Sequence, residues 1–219
     1  MAVIHHTTLV PSKLELLSAW LPSQSWYLGT AESVLSRAGG FRLDDPAGDV
    51  GIEVMVVNEV SGDETLSYLT PLTYRSAPLS GAEAHLIGTT EHGVLGKRWV
   101  YDGLHDRVFV EQMLALLRGD VEAQAQDESN MVDSTVSRSL SDPGEFLASD
   151  TVQIVSGATS SDVQGLTLSD VPVTLRVLRA LNPTSQAPDR AGSIGQIEAN
   201  WAWIDGETRR GAIALLTHA

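Results

Sequence analysis

His105 and Asp106 sit in the stretch LGKRWVYDGLHDRVFVEQMLALL, residues 95–117, and are the first residues of the chain to suggest chemistry. An aspartate beside a histidine can accept a substrate hydroxyl proton during phosphoryl transfer, but that chemistry needs an Asn five residues beyond the Asp to hold the metal. Here that position is Glu111, inside a run whose apolar residues Phe109, Met113, Leu116 and Leu117 recur near the helical period. The pair therefore reads as a corner, with Asp106 as the N-cap of a helix that ends at Gly119. Asp44 and Asp45 precede Pro46 and read as turn residues rather than as an acid/base dyad.

Other reactive constellations are missing. The sequence has no G-x-S-x-G, no G-x-x-x-x-G-K-[ST] and no H-E-x-x-H, each of which would fix a nucleophile, a phosphate or a zinc ion against a local backbone geometry. Cysteine is absent, which removes disulfides, thiol nucleophiles and thiolate metal sites. His5 and His6 are adjacent and would point to opposite faces of a strand, so they do not chelate one ion. No acidic run has the glycine turn and terminal Glu of a calcium loop. No catalytic residue, metal or cofactor is expected from these residues.

Six aromatic residues are the candidates for a ligand or partner surface: Trp26, Tyr27, Trp99, Tyr101, Trp201 and Trp203. Trp201 and Trp203 alternate around Ala202, so on a strand they share a face that could stack a sugar or fill a core. Trp26 and Tyr27 lie in the connector LPSQSWYLG and could anchor that turn by packing or offer a stacking platform.

Charge and composition narrow the class. A formal charge of −14 with only two lysines, Lys13 and Lys97, argues against nucleic acid, because a phosphate-binding surface needs clustered bases to release counterions. No apolar run reaches the ~18 residues a membrane span requires, and the amino terminus lacks the order of a secretory signal, so the expectation is a cytoplasmic chain with no membrane partner. With 42% hydrophobic residues, the 219-residue chain can bury a core. Ten acids against one base, Arg138, fall between Gly119 and Asp170, which reads as a solvated connector.

The elements that would hold these residues follow from periodicity. Ser12 and Glu15 form a capping box ahead of Leu14, Leu17 and Leu21, and Pro22 closes that helix. FRLDD, GIEVMVVNEV, TLSYLTPLTYR, HLIGTT and VLGKRWVYDGL then read as a meander of about five strands, with Pro71 marking an edge or a bulge. Beyond the connector, TVQIVSG, VQGLTL and VPVTLRVLRAL read as strands, the last passing into a helix. Asp205-Gly206 between two apolar runs is a hairpin signal.

Three motifs resemble one family. Leu21-Pro22-Ser23-Gln24-Ser25-Trp26-Tyr27 after a short amphipathic helix, Tyr68-Leu69-Thr70-Pro71-Leu72-Thr73-Tyr74, and above all Gly96-Lys97-Arg98-Trp99-Val100-Tyr101-Asp102-Gly103-Leu104-His105-Asp106 are similar to the amino-terminal cap domain of bacterial maltokinases. Ser25 departs from the Arg that this family usually has before the Trp. Further on, Ser160-Ser161-Asp162 and the run Val171 to Leu181 resemble the intermediate part of a kinase N-lobe, which would put Arg176 at the phosphate-binding lysine and make it the candidate for nucleotide contact. The resemblance implies that the catalytic Asp, the metal-binding residues and the sugar pocket belong to a carboxy-terminal lobe that this sequence does not contain.

The expected fold class is α+β. A curved antiparallel sheet with two helices on one face (1–118) is followed by an acidic connector (119–149) and a smaller, mainly β unit like a kinase N-lobe (150–219). The expected function is a non-catalytic binding or regulatory protein associated with α-glucan and trehalose–maltose 1-phosphate metabolism, whose partner would be a sugar kinase or an α-glucan enzyme. The alternatives are the N-lobe of a split ATP-dependent sugar kinase and a carbohydrate-binding module.

Overall fold

The computed structural model describes residues 8–30, 33–61, 64–126, 131–141, 144–181 and 192–219. His5 and His6 and most of the loop 182–192 lie outside these residues. In chain order the elements are β1 (Leu9–Val10), α1 (Lys13–Trp20), β2 (Val34–Leu43), β3 (Gly51–Ser61), β4 (Glu64–Arg75), β5 (Leu86–His92), β6 (Gly96–Asp102), α2 (Arg107–Arg118), β7 (Ser137–Leu140), β8 (Phe146–Ser156), β9 (Ser160–Leu168), β10 (Val171–Leu178), β11 (Ala180–Leu181), β12 (Ser193–Ala202) and β13 (Thr208–His218).

The strands form two antiparallel sheets. The first runs β1-β5-β6-β4-β3-β2, with β11 also laid against β4; the second runs β7-β12-β13-β10-β9-β8. The fold is mostly antiparallel β with two curled sheets and few helices, and α+β describes it broadly. No helix among the described residues is long and apolar enough to cross a membrane.

Strand β3 explains how the first sheet is covered. Ile52, Val54 and Val56 join the larger core cluster, whereas Met55 and Val57 join a smaller one on the other face. On the larger side, α2 buries Phe109, Val110, Met113, Leu114, Leu116 and Leu117, and the same cluster includes Val163, Leu175, Val177, Ile197, Trp201 and Leu215 of the second sheet. On the smaller side, Leu17 of α1, Leu21 and Trp26 cover the sheet. The helices thus sit on opposite faces, not on one face as expected, because the alternating β3 leaves apolar side chains on both.

Both helices start as their sequences require. Ser12 Oγ accepts from the Glu15 amide at 3.3 Å and the Glu15 carboxylate accepts from the Ser12 amide at 2.7 Å, completing the capping box. At α2 the Asp106 carboxylate accepts from the Val108 amide at 3.1 Å, and Gly119 takes the left-handed conformation at φ +93°.

Several expectations change. The strands are not a simple meander: β6 pairs with β4, and β5 hangs on the outer side of β6. Pro71 is neither at an edge nor in a bulge; β4 pairs with β3 without a register shift. The reason is local. The Leu69 amide donates away from β3 to the Arg179 carbonyl, so the nitrogen of Pro71, two residues on, faces the same way. There β6 pairs only with residues 72–75 and β11 only with residues 67 and 68, and no ladder bond is lost.

The run VPVTLRVLRAL does not pass into a helix either. It breaks at Arg179 and continues as β11, which leaves the second sheet and pairs with β4 of the first. Within 119–149, the connector supplies β7 on β12 and the start of β8 on β9, and Gln124 bridges Arg42 and Val132. Gly39 of β2 passes β12 of the second sheet, and Gly40 packs against β3 of its own sheet. A side chain at Gly39 would begin 3.7 Å from the Trp201 Cα, and one at Gly40, φ +118°, would begin 2.0 Å from the Val54 carbonyl. Beside them Asn58 Nδ2 donates to the Ala202 carbonyl at 2.9 Å.

Candidate functional site

A group of buried ionisable side chains, Asp102, Asp106 and Arg179, surrounds the corner between β6 and α2. Asp102 ends β6 and starts a single 3-10 turn, Gly103–His105, and its Oδ1 accepts from the Leu104 amide at 3.3 Å. Its Oδ2 accepts from Arg179 Nη2 at 2.5 Å. Asp106, on the other side of the turn, caps α2 and takes a bidentate pair from Arg75, with Nε to Oδ2 at 2.6 Å and Nη2 to Oδ1 at 2.7 Å.

Arg179 is the residue on which the two sheets meet. It is 1% exposed, its Nε donates to Ser161 Oγ at 3.0 Å, and its guanidinium carbon lies 4.9 Å from the Trp26 ring centroid. Its backbone is shared as well: its amide donates to the Thr159 carbonyl at 2.8 Å, and its carbonyl accepts from the Leu69 amide at 2.9 Å. One residue from the crossing between β10 and β11 therefore engages both sheets and the Trp26 loop.

His105 lies in the same corner and stacks on His85, with ring centroids 3.2 Å apart and planes 5° from parallel. Burial pushes its pKa down to about 4; Asp102 opposes that shift, and His85 and Arg179 add to it. The histidine is held neutral at ordinary pH. The corner is a set of ion pairs around a neutral imidazole, with Arg179 Nη1 left buried without a hydrogen-bond partner among the described residues, an arrangement that positions chain segments.

Residues 20–106 match the family model of the maltokinase N-terminal cap domain. The match spans β2 to β6 and ends at Asp106, the cap of α2, so the resemblance read from GKRWVYDGLHD holds over this part of the chain. No curated protein matches the chain. Within the cap region Trp26 and Asp102 are the two side chains that receive Arg179, which lies outside the matched residues.

The six aromatic candidates separate into two groups. Trp26 and Tyr101 are 1% exposed and Trp201 is 4% exposed; all three are packed inside. Tyr27, Trp99 and Trp203 are half-buried. Tyr27 donates to Glu59 Oε1 at 2.7 Å and its ring lies 5.2 Å from that of Tyr68, which fastens the Trp26–Tyr27 loop to the sheet. Lys97 Nζ sits 5.0 Å from the Trp99 ring centroid, and Arg209 covers Trp203 at 5.6 Å.

Trp201 and Trp203 do not form a joint platform. Trp201 ends inside the core from β12, whereas Trp203 lies beyond the strand, in the turn where its amide donates to the Glu207 carbonyl at 2.7 Å. A shallow apolar crevice with no room for a water molecule lies under α1, lined by Leu9, Leu16, Leu17, Leu72, Ile87 and Val100 among others, and none of the six aromatic residues lines it.

Arg176 stands on β10 opposite Asp162 of β9 and forms a bidentate pair with it, Nε to Oδ1 and Nη2 to Oδ2 both at 2.8 Å. The candidate for nucleotide contact is thus already neutralised by a carboxylate. Sequence reasoning missed Arg179, three residues further on. Its signal was a second arginine closing an apolar strand pattern, but its buried partners come from Asp102 and Ser161, far apart in the chain.

Proposed function

We propose that this chain is a non-catalytic binding or regulatory protein built on a maltokinase-type cap, working in the cytoplasm beside the enzymes of α-glucan and trehalose–maltose 1-phosphate metabolism. The observation that carries the reading is the use of the signature motif. Both of its carboxylates, Asp102 and Asp106, are taken up by Arg179 and Arg75 and by the backbone of the corner they build. The motif then serves to shape a domain that presents its surface to a partner, a sugar kinase or an α-glucan enzyme, and its residues take no part in phosphoryl transfer.

Reading the second sheet as a kinase nucleotide lobe would require Arg176 to leave Asp162 for a phosphate, and the bidentate pair weighs against that. The test is an assay of the purified chain with ATP, magnesium and maltose. No maltose-dependent phosphorylation is expected; clear turnover would sink the proposal. Co-purification with a sugar kinase or an α-glucan enzyme from the native source is the positive counterpart, and its loss on mutating exposed residues of the cap region would locate the surface.

A further inference from the structure

The His85–His105 stack joins two corners. His85 ends the 3-10 turn Glu83–His85 that leads into β5, and His105 ends the turn that leads into α2. The rings lie 3.2 Å apart and nearly parallel, so close that charge on both at once would be opposed by Coulomb repulsion. The groups that face His105 are Asp102 from its own turn, His85 from the neighbouring one and Arg179 from the second sheet. The next carboxylate along the chain, Asp106, is already held in a bidentate pair by Arg75.

We propose that the His85–His105 stack is a proton-operated latch on the junction of the two sheets. Proton uptake at His105 parts the rings and turns the imidazolium to Asp102 in competition with Arg179, so that the crossing from β10 to β11 loosens from the cap region. The geometry supplies each step. Asp102 is the carboxylate that both cations face, Arg179 also donates to Ser161, and its guanidinium covers the Trp26 ring.

The direction with pH follows from the folded state. Burial holds His105 down to about 4, below its ordinary 6.5, so folding favours the neutral ring. The stabilisation is complete above the unfolded value and is lost as the pH falls from about 6.5 towards about 4.

The test is an NMR titration of the full chain with labelled histidine and tryptophan, from about pH 7.5 to about pH 4. The His105 ring signal and the Trp26 indole N–H are expected to shift together with one midpoint. In His105→Gln the Trp26 shift is expected to disappear. In His85→Gln, which removes the opposing ring, the His105 midpoint is expected to move up while Trp26 still follows it. A Trp26 signal that stays put while His105 titrates, or that shifts equally in His105→Gln, overturns the latch. Should His105→Gln fail to fold, His85→Gln decides: an unmoved midpoint overturns the proposal as well.

Discussion

Replacing Arg179 by Met tests whether the crossing residue holds the two sheets together. Arg179 is 1% exposed and Asp102 is 4% exposed, so the substitution strands a buried carboxylate that had its charge partner at 2.5 Å. Removing one member of a buried pair costs about 3–5 kcal/mol, because the remaining charge has neither water nor a counter-ion. The Leu104 amide still bonds Asp102, and Met fills part of the space over Trp26, which places the expectation towards the lower half of that range. For a chain of this length about 2–4 °C of melting temperature accompanies each kcal/mol, so Arg179→Met should melt roughly 6–15 °C lower.

The double variant Arg179→Met with Asp102→Asn separates charge from packing. Asn keeps an acceptor for the Leu104 amide and removes the stranded charge, and replacing a buried pair by neutral groups is often close to neutral. The double variant should therefore recover about 2 kcal/mol of the single variant's loss, read from urea midpoints in a double-mutant cycle. A loss below about 1 kcal/mol for Arg179→Met, or a double variant no more stable than additivity predicts, would refute the argument that this ion pair ties the sheets.

Three further outcomes follow from the geometry. Asp106→Ala removes both the α2 cap and the Arg75 partner and should cost roughly 2–4 kcal/mol in urea denaturation, and Asp106→Ser, which keeps a capping oxygen, should regain about 1 of it. Asp170→Gly should raise the urea midpoint: φ is +66° at Asp170, and relief of about 1–2 kcal/mol exceeds the roughly 0.5–1 kcal/mol entropic cost of glycine. Arg176→Ala should change stability by no more than about 1 kcal/mol, since its pair with Asp162 is exposed, and should leave the melting temperature equally insensitive to added ATP.

The sequence showed local features and hid the long-range ones. The capping box of α1, the Asp106 cap and terminal glycine of α2 and the hairpin at Asp205-Gly206 were legible because each is decided by neighbours within a few residues. Pro71 was misread because its tolerance depends on a gap between β6 and β11, two strands that reach β4 from different parts of the chain. Trp201 and Trp203 were given one face because alternation was assumed to continue, and the strand ends at Ala202 between them.

The family signature was also local. Eleven consecutive residues from Gly96 to Asp106 carry side chains that must form a strand end and a helix cap, and the match over residues 20–106 accords with them. By itself the sequence determined that stretch as a corner with Asp106 as the cap of a helix, since the helical period after it fixes where the helix starts. Only the tertiary structure decided what Asp102 and His105 do there. Their partners, Arg179 and His85, are brought in by a strand crossing and by a turn before β5. Burial makes those contacts matter: it turns an ordinary arginine into an obligatory partner and an ordinary histidine into one that resists a proton.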